Sequence, residues 1–313
     1  MSEISYLQLH LARGIGPATI RRVLARLTQT GISLEEFLHL SSKEQVTKFG
    51  LARQQAEALG AARVEAERIR AELEQRGVAL LTLASLEYPI RLRQRLGNQA
   101  PPLLYAWGNL DLLQKNAVGF CGARDVSAKG IAVAKDCAAQ IASWGWVVVS
   151  GGARGVDTAT HRAALMAGGT TVIVLPEGIL RYRPRRELNS LVSQEQVLLI
   201  SEFPPHKIWS VANAMRRNRT ICGLSEALIV IESGTSGGTF EAGKLALRLK
   251  MPLFVAEYAE PAVSAAGNAY FLAHGARPLR RSAETGQANL EPLRRAVETC
   301  SETEPVAIQE WLF

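Results

Sequence analysis

Several apolar runs of the chain end in small residues that are followed by an arginine. The run 146–150 ends in Ser150 and is followed by Gly151, Gly152 and, two positions later, Arg154. The run 117–121 leads into Gly122, Ala123 and Arg124. Glycine lets a ligand approach the backbone, and a guanidinium group donates paired hydrogen bonds to phosphate. The pattern predicts a binding site for an anion.

Two further runs carry the same signals. The run 170–175 is followed by PEGILRYRPRRE, which has four arginines in six positions. The run 227–232 leads into three residues that open a predicted helix: Gly237, Gly238 and Thr239. Four residues crowd one turn shortly before that run: Arg216, Arg217, Asn218 and Arg219. Between 181 and 219 there are eight lysines and arginines against three glutamates, which predicts either a binding surface or a solvated basic face.

The elements that must position these residues alternate along the chain. Apolar runs lie at 117–121, 146–150, 170–175, 197–201, 227–232 and 252–256, and helical patterns lie at 128–143, 157–167, 239–249 and 268–274. This alternation predicts an α/β fold with a Rossmann-like, doubly wound, mainly parallel sheet that is buried on both faces. Parallel strands bring their carboxyl ends to one edge, so the turns are expected to form one phosphate site there.

The periodicity divides the chain into four parts. Residues 1–76 are helical in pattern and predict a small all-α domain. Residues 77–116 are punctuated by proline and glycine and are interpreted as a connecting segment, with a strand pattern at 78–83. Residues 117–280 form the Rossmann-like domain. Residues 281–313 are polar and predict a short tail with room for one helix.

No cofactor, metal or catalytic group is predicted. No G-x-G-x-x-G follows the first strand, and Ser150 stands where a dinucleotide-binding enzyme would have an acidic residue. No strand is followed by the G-K-[ST] of a P-loop. The four cysteines (Cys121, Cys137, Cys222 and Cys300) are scattered, which argues against a zinc site and a disulfide framework.

Charge and hydropathy limit the possible partners. The formal net charge of +7 suits a polyanionic partner without identifying it. The first residues lack the pattern of a signal peptide, and no run is long enough to span a membrane. A cytoplasmic protein that does not contact the membrane is expected.

Several blocks, taken together, resemble the DprA (Smf) family, the DNA-processing proteins of bacterial transformation. The blocks are GFCGARDVSAKG, SGGARGVDTATHRAAL, AGGTTVIVLPEG, SEFPP, RRNRTICGLSEALIVIES and GNAYFLAHGA. The segments LARGIGPATIRRVL and EYPIRLRQRLGNQAPPLLYAWGN also match the family, so the resemblance covers nearly the whole chain.

The resemblance implies a Rossmann-like domain that binds and protects single-stranded DNA, is not an enzyme, and loads a RecA-type recombinase. Arg124 matches the arginine of the family's G-S-R. The block SGGARGVDTATHRAAL matches at Ser150, Gly151, Ala153, Gly155 and Asp157. The block RRNRTICGLSEALIVIES matches at Arg217, Asn218 and Arg219. The cellular processes implied are natural transformation, competence and recombination.

The chain also departs from the family pattern. Ala214 and Met215 replace the Phe-Pro that usually precedes R-N-R, and the winged-helix domain of many members has no counterpart. The segment GGTFEAG, which contains Glu241, is similar to a loop of the LOG phosphoribohydrolases. Two alternatives therefore stay open: a nucleotide-sensing domain of the wider DprA/LOG (SLOG) superfamily, and a nucleoside-monophosphate phosphoribohydrolase that uses Glu241.

Three smaller expectations concern individual positions. His161 is expected to pack beneath the loop rather than to act as an acid or base, and Asp157 to cap the following helix. The turn at 14–17 resembles a helix-hairpin-helix, which either contacts duplex DNA or packs the domain. A homodimer is expected through PLFVA and NAYFLAHGA, with four anchor residues: Tyr258, Tyr270, Phe271 and Leu272.

Overall fold

Five helices open the chain, and the computed structural model describes residues 3–303. They are α1 (Glu3–Leu11), α2 (Pro17–Thr30), α3 (Leu34–His39), α4 (Ser42–Phe49) and α5 (Arg53–Gln75). Helices α3 and α4 begin at capping boxes, in which Ser33 pairs with Glu36 and Ser41 with Glu44. The hairpin between α1 and α2 turns at Gly14, whose φ of 79° favours glycine.

A single nine-stranded sheet forms the centre of the molecule. Its strands are β1 (Ala79–Thr82), β2 (Leu103–Gly108), β3 (Ala117–Cys121), β4 (Val147–Ser150), β5 (Thr170–Leu175), β6 (Val197–Ser201), β7 (Ala227–Val230), β8 (Leu253–Ala256) and β9 (Arg277–Leu279). Their order is β1-β2-β6-β5-β4-β3-β7-β8-β9. The strand β2 runs antiparallel to both of its neighbours, β1 and β6, and all the other neighbouring pairs of this sheet are parallel. The predicted α/β fold with a mainly parallel sheet is confirmed.

Helices cover both faces of the sheet. They are α6 (Ile90–Leu96), α7 (Ala128–Ser143), α8 (Val156–Met166), α9 (Arg186–Asn189), α10 (Val211–Leu224), α11 (Gly238–Arg248), α12 (Asn268–Ala273) and α13 (Glu291–Thr303). One face packs against α6, α10, α11 and α12, and the other packs against α7, α8, α13 and the N-terminal helices. No helix among residues 3–303 has the length and apolar character that a bilayer crossing needs.

Residues 77–116 contribute more to the sheet than a connecting segment would. They supply β1 and β2, which extend the sheet beyond β6, and α6, which packs against α10. The strand β2 is flanked by two prolines before it and by Gly108 at its end, so its sequence suggested a loop. In the polar tail, α13 packs Leu293 and Val297 onto the sheet.

The N-terminal helices and the sheet share one apolar core. Leu7, Leu59 and Leu73 belong to the same cluster as Tyr105 of β2 and Ile173 of β5. A polar contact reinforces this docking, because Nδ1 of the buried His10 lies 2.8 Å from the hydroxyl of Tyr105. The small helical domain is therefore held firmly against the sheet.

Candidate nucleic-acid interface

Two adjoining clefts open at the carboxyl edge of the sheet. The first, called here the arginine cleft, has a volume of about 610 Å³ and lies beyond the ends of β3, β4 and β5. Its cationic lining consists of six arginines: Arg124, Arg154, Arg181, Arg183, Arg185 and Arg217. Glu177 is the single carboxylate among its lining residues. This excess of positive charge suits a ligand with several negative charges.

The second cleft, called here the glycine cleft, has a volume of about 430 Å³. It lies beyond the ends of β3 and β7, where the strand order reverses and ligands of doubly wound sheets commonly bind. Six predicted residues line it: Gly122, Arg124, Arg217, Asn218, Gly238 and Thr239. Arg124 and Arg217 line both clefts, so the two form one continuous surface.

Arg217 of α10 forms the floor between the clefts. Its side chain is only 6% exposed, and Nη1 donates a hydrogen bond of 2.7 Å to the carbonyl of Val174. Its Nε has no hydrogen-bond partner within residues 3–303. A buried guanidinium with spare donors is costly unless an anion satisfies it, so Arg217 is suited to bind phosphate.

The absence of a side chain at Gly151 makes room for this arginine. A Cβ placed on Gly151 would lie 1.6 Å from Nη1 of Arg217, which is a severe clash. At the neighbouring Gly152 an added Cβ would have open space, with its nearest atom 4.0 Å away in Tyr182. Gly151 therefore positions Arg217, whereas Gly152 lines the arginine cleft itself.

Arg124 and Arg154, in the turns after β3 and β4, lie at the rim of the arginine cleft. Arg124 is exposed and lies over the ring of Trp209, with its guanidinium carbon 5.8 Å from the ring centroid. Arg154 is exposed and forms a salt bridge of 2.8 Å with Asp125. Exposed pairs of this kind are weak, so an incoming phosphate can compete with the carboxylate.

An aromatic and aliphatic patch borders the arginines and was not predicted. Trp209 is 46% exposed and Ile208 is 67% exposed, and both line the arginine cleft. Val211, at the start of α10, adds a third exposed apolar side chain beside them in the glycine cleft. An exposed indole next to cations is a platform on which a nucleobase can stack. The signal available in the sequence was a tryptophan inside a basic segment.

Glu177 has an unusual environment for a carboxylate. Its partial burial raises the pKa of its carboxyl group, and the nearby Arg217 and Arg185 oppose this rise. Burial likewise raises the pKa of Tyr182, on the same wall, to about 12. A carboxyl group that protonates more readily repels an anionic ligand less.

The loop after β4 is fixed by internal hydrogen bonds. Ser150 was expected to contact the ligand, but it is fully buried and its hydroxyl donates to the carbonyl of Phe120, so it holds β4 to β3. His161 is also fully buried, and its Nε2 lies 2.7 Å from the carbonyl of Gly151, as a structural role predicts. The N-cap of α8 is Gly155, so Asp157 lies within the first turn and does not cap the helix as expected. Its carboxylate accepts a hydrogen bond from the backbone amide of Ala153 and so closes the loop.

The turn that opens α11 faces the glycine cleft. Gly237 is the N-cap with a φ of 92°, and it provides no side-chain cap for the helix. The hydroxyl of Thr239 donates to the carbonyl of Gly122, and the amide of Asn218 donates to the carbonyl of Gly238. These bonds join the start of α11 to the turn after β3 and to α10. Gly238 and Thr239, whose backbone amides have no acceptor within the helix, line the glycine cleft.

Arg216 and Arg219 do not join Arg217. All three residues lie on α10, where each residue turns the side-chain direction by roughly 100°. Arg216 forms a salt bridge of 2.7 Å with Glu202, and together with Arg219 it lines a separate cleft beside α2. The expectation that all three arginines share one pocket is therefore corrected.

Comparison with known proteins identifies the family. The family model described as DNA recombination-mediator protein A matches residues 79–288, which is more than half of the chain. The chain belongs to this family. The matched region contains both clefts and all of the strands β1–β9.

Named relatives of the DprA family align over part of their length. The DNA processing protein DprA of Bacillus subtilis is 31% identical over 189 residues, which cover 60% of this chain and 63% of the relative. Protein Smf of Escherichia coli is 31% identical over 184 residues, which cover 58% of this chain and 49% of the relative. This chain thus spans less than two-thirds of the length of these relatives.

Solved DprA structures share the fold. DNA processing protein A from Streptococcus pneumoniae superposes with a TM-score of 0.75 at 23% identity, covering 89% of this chain and 95% of that one. The protein from Helicobacter pylori gives a TM-score of 0.57 at 21% identity, covering 72% and 96%. Its description concerns a single-stranded DNA binding mode of that protein.

Glu241 bears on the enzyme alternative. The family is described as a DNA recombination mediator, and this description names no phosphoribohydrolase activity. Glu241 lies in the first turn of α11 and forms a salt bridge of 3.2 Å with Lys244. Neither cleft at the carboxyl edge includes Glu241 in its lining. The carboxylate therefore does not face either cleft.

The four residues predicted as dimer anchors differ in accessibility. Phe271 is fully buried and packs against Gly243, where a Cβ would lie 2.5 Å from its ring. It belongs to the core and cannot anchor a partner, which corrects that expectation. Tyr258 and Leu272 are partly buried, while Tyr270 is 38% exposed and stacks on His274. The dimer itself stays a prediction.

Proposed function

We propose that this protein binds single-stranded DNA along the two clefts at the carboxyl edge of the sheet. The observation that carries the proposal is the arginine cleft itself, with six arginines, one carboxylate and an exposed tryptophan. Arg124, Arg154 and Arg217 would contact phosphates, and Trp209 would stack on a base. Backbone contacts combined with stacking give binding with little sequence preference.

A single strand fits this surface better than a duplex. Trp209 and Ile208 present apolar surface beside the cations, and only an unpaired base offers its face to such a platform. In a duplex the bases stack on each other, so a surface that contacts only the backbone leaves the indole unused. The described ssDNA binding of the H. pylori protein, which shares the fold, agrees with this proposal.

The proposed cellular role is DNA processing during natural transformation, in which the protein protects single strands and loads a RecA-type recombinase. The family description as a recombination mediator supports this role. Addition of the protein is expected to speed assembly of a RecA-type filament on single strands coated with a single-strand-binding protein. An unchanged assembly rate would contradict the loading role and leave strand binding intact.

We further propose that the protein acts as a homodimer, through the surface of α12 and the segment before it. The strand β8 of PLFVA is buried between β7 and β9, which corrects its expected part in the interface. Tyr270 and Val263, which is 93% exposed, offer apolar area there. Two rigidly joined clefts would bind one strand more tightly by linking two binding events. Light scattering at micromolar concentration is expected to give a dimer mass, and a monomer mass with and without a long oligonucleotide would contradict the proposal.

The direct test of the strand-binding site is Arg124→Ala. This exposed side chain lines both clefts, so its loss is expected to weaken binding of oligothymidine by about 1–3 kcal/mol without lowering thermal stability. Fluorescence anisotropy with a labelled oligothymidine measures the effect. Arg162→Ala, at an exposed position of α8 outside the clefts, is the control that removes the same charge. Equal affinities of the two variants would move the site elsewhere.

A further inference from the structure

The cleft that Arg216 and Arg219 line lies where the N-terminal helices meet the sheet domain. It has a volume of about 230 Å³, and its walls come from α2, the segment before β2, and α10. The lining residues are Pro17, Ala18, Arg21, Gln99, Pro101, Arg216 and Arg219. Among residues 3–303, three arginines and no carboxylate line this space, which is called here the interdomain cleft.

The three arginines are unequally satisfied. Glu202 is buried and binds Arg216 at 2.7 Å, and the ring of Phe203 lies beneath the same guanidinium at 5.2 Å from its centroid. Arg21 donates to the carbonyl of Ala100 at 3.1 Å. Neither Arg21 nor Arg219 forms a salt bridge with any carboxylate in the part of the chain that the structure describes. Arg216 is thus oriented, and the other two cations are available to a ligand.

Electrostatics in the interdomain cleft favour an added anion. Burial lowers the pKa of the Arg21 guanidinium, and the positive charges of Arg216 and Arg219 lower it further. Tyr88 and Glu202 oppose this shift. Mutual repulsion of three guanidinium groups is relieved when a negative charge enters between them. A phosphate bears that charge and accepts several hydrogen bonds at once.

The start of α2 adds backbone donors to the same cleft. This helix of 14 residues has Gly16 as its N-cap, Pro17 at its first position, and no side-chain cap. The first amides of a helix lack intrahelical acceptors and carry a partial positive charge. Ala18 lines the cleft, so this helix end and the arginines act on the same space.

The interdomain cleft lies along the same edge of the sheet as the arginine cleft. Glu202 directly follows β6, and Pro101 precedes the antiparallel β2, so both mark the carboxyl edge. The arginine cleft lies beyond β3, β4 and β5, and β6 and β2 are the next strands in order. Helix α10 borders both clefts, with Arg217 directed to one and Arg219 to the other.

We propose that the interdomain cleft is a second phosphate site, which holds the backbone of the single strand as it leaves the arginine cleft. The inference rests on the proposed binding of single strands and assigns the N-terminal domain a part in it through Arg21 and the start of α2. A strand that reaches both clefts spans the two parts of the molecule. A strand too short to do so occupies the arginine cleft alone.

The test compares oligothymidines of two lengths in the double variant Arg21→Gln/Arg219→Gln. Single-strand sites cover about 4–16 nucleotides, so lengths of about 6 and about 20 separate the two cases. We expect the long strand to bind roughly tenfold or more weakly than to the wild type, because two charge-assisted contacts are lost. The slope of log affinity against log salt should fall by about 0.7 for each lost phosphate contact. The short strand should bind equally well.

A matched control is Arg162→Gln/Arg248→Gln, which removes two exposed arginines outside all three clefts. It should leave both lengths bound as in the wild type. Equal binding of the long strand by the two double variants would overturn the second site. Equal weakening of both lengths would place Arg21 and Arg219 in the first site or assign them a general charge effect, and would also overturn it.

Two further outcomes separate this inference from the function on which it rests. If the wild type binds neither length, the proposed strand binding fails and the second site fails with it. If the double variant loses binding of thymidine monophosphate and keeps the long strand, the interdomain cleft serves a free nucleotide and the strand path is wrong. Thermal unfolding of each variant confirms that the fold is kept.

Discussion

Single residues decide which cations reach the ligand. Arg217 is the clearest case, because its guanidinium lies on the backbone of Gly151 and donates to Val174 while its Nε stays without a partner in residues 3–303. Its position depends on a neighbour that has no side chain. The glycine therefore supports the proposed binding site through Arg217, although it does not line the clefts itself.

A methyl group at Gly151 tests this dependence. Gly151→Ala places a Cβ 1.6 Å from Nη1 of Arg217, so the arginine must move and its bond to Val174 must break. We expect the free energy of unfolding to fall by about 1–3 kcal/mol, as for other overpacked sites, and strand affinity to fall with it. Gly152→Ala meets no atom closer than 4.0 Å, so it is expected to leave the free energy of unfolding unchanged. Chemical denaturation and anisotropy measure the two quantities, and similar behaviour of both variants would contradict the assigned role.

The stacking role of Trp209 gives a second prediction at this scale. Trp209→Ala should weaken oligothymidine binding by about 1–3 kcal/mol, the value of one base stacked on an aromatic ring. Trp209→Phe should retain most of the affinity, since a smaller ring still stacks. Met166→Ala, at the exposed end of α8 and outside the clefts and the proposed dimer surface, serves as the control. If Trp209→Phe loses as much oligothymidine affinity as Trp209→Ala, the stacking role of the indole is contradicted.

At the scale of elements, α10 distributes its arginines between two surfaces. The sequence RRNR suggested one basic turn, but in a helix Arg217 points away from Arg216 and Arg219. Periodicity could have predicted this, had the segment before β7 been recognised as a helix. Its start does carry apolar residues at helical spacing (Val211, Ala214 and Met215), but these line the glycine cleft instead of the core.

The docking of α1 on β2 predicts a pH dependence. Burial lowers the pKa of His10 to about 4, and the charge of Arg216 adds to the effect, so the folded protein keeps this imidazole neutral. The unfolded chain takes up a proton near pH 6.5. Below that pH the unfolded state binds more protons, so stability falls as pH drops from about 6.5 to about 4, by up to about 3 kcal/mol from this residue.

His10→Gln isolates this contribution. The variant lacks the titrating group, so the difference between its free energies of unfolding at pH 7 and pH 5 should be smaller than in the wild type. His161, whose pKa burial also lowers, acts in the same direction in both proteins and cancels in the comparison. Denaturant unfolding at the two pH values measures the difference. An unchanged pH dependence would show that His10 is not kept neutral by the fold.

At the scale of the whole molecule, the continuous apolar strands were sufficient to predict most of the sheet and the edge at which the clefts open. The four predicted turns and α10 do meet there, because parallel strands end on the same side. The sequence did not predict β2, whose ends are marked by proline and glycine, or β9, which has three residues including Pro278. Short strands at or near the edges of a sheet carry little periodicity.

The lining of the clefts was predicted only in part. Arg124, Arg154 and Arg217 line the arginine cleft as expected, whereas Ser150 is used within the sheet. Trp209 was missed because a lone aromatic residue in a basic loop has no period that would mark it as exposed. The interdomain cleft depends on the contact between two parts of the chain, and no local pattern predicts such a contact.

The salt dependence of oligothymidine affinity tests the central claim most directly. Each phosphate contacted on a single strand contributes about 0.7 to the slope of log affinity against log salt, so engagement of about four arginines predicts a slope near −3. Anisotropy titrations of the wild type at a series of salt concentrations give this slope, and Arg124→Ala should make it shallower. Tight binding with a steep slope supports strand binding through the arginine cleft. An affinity that stays flat from low to moderate salt would contradict it.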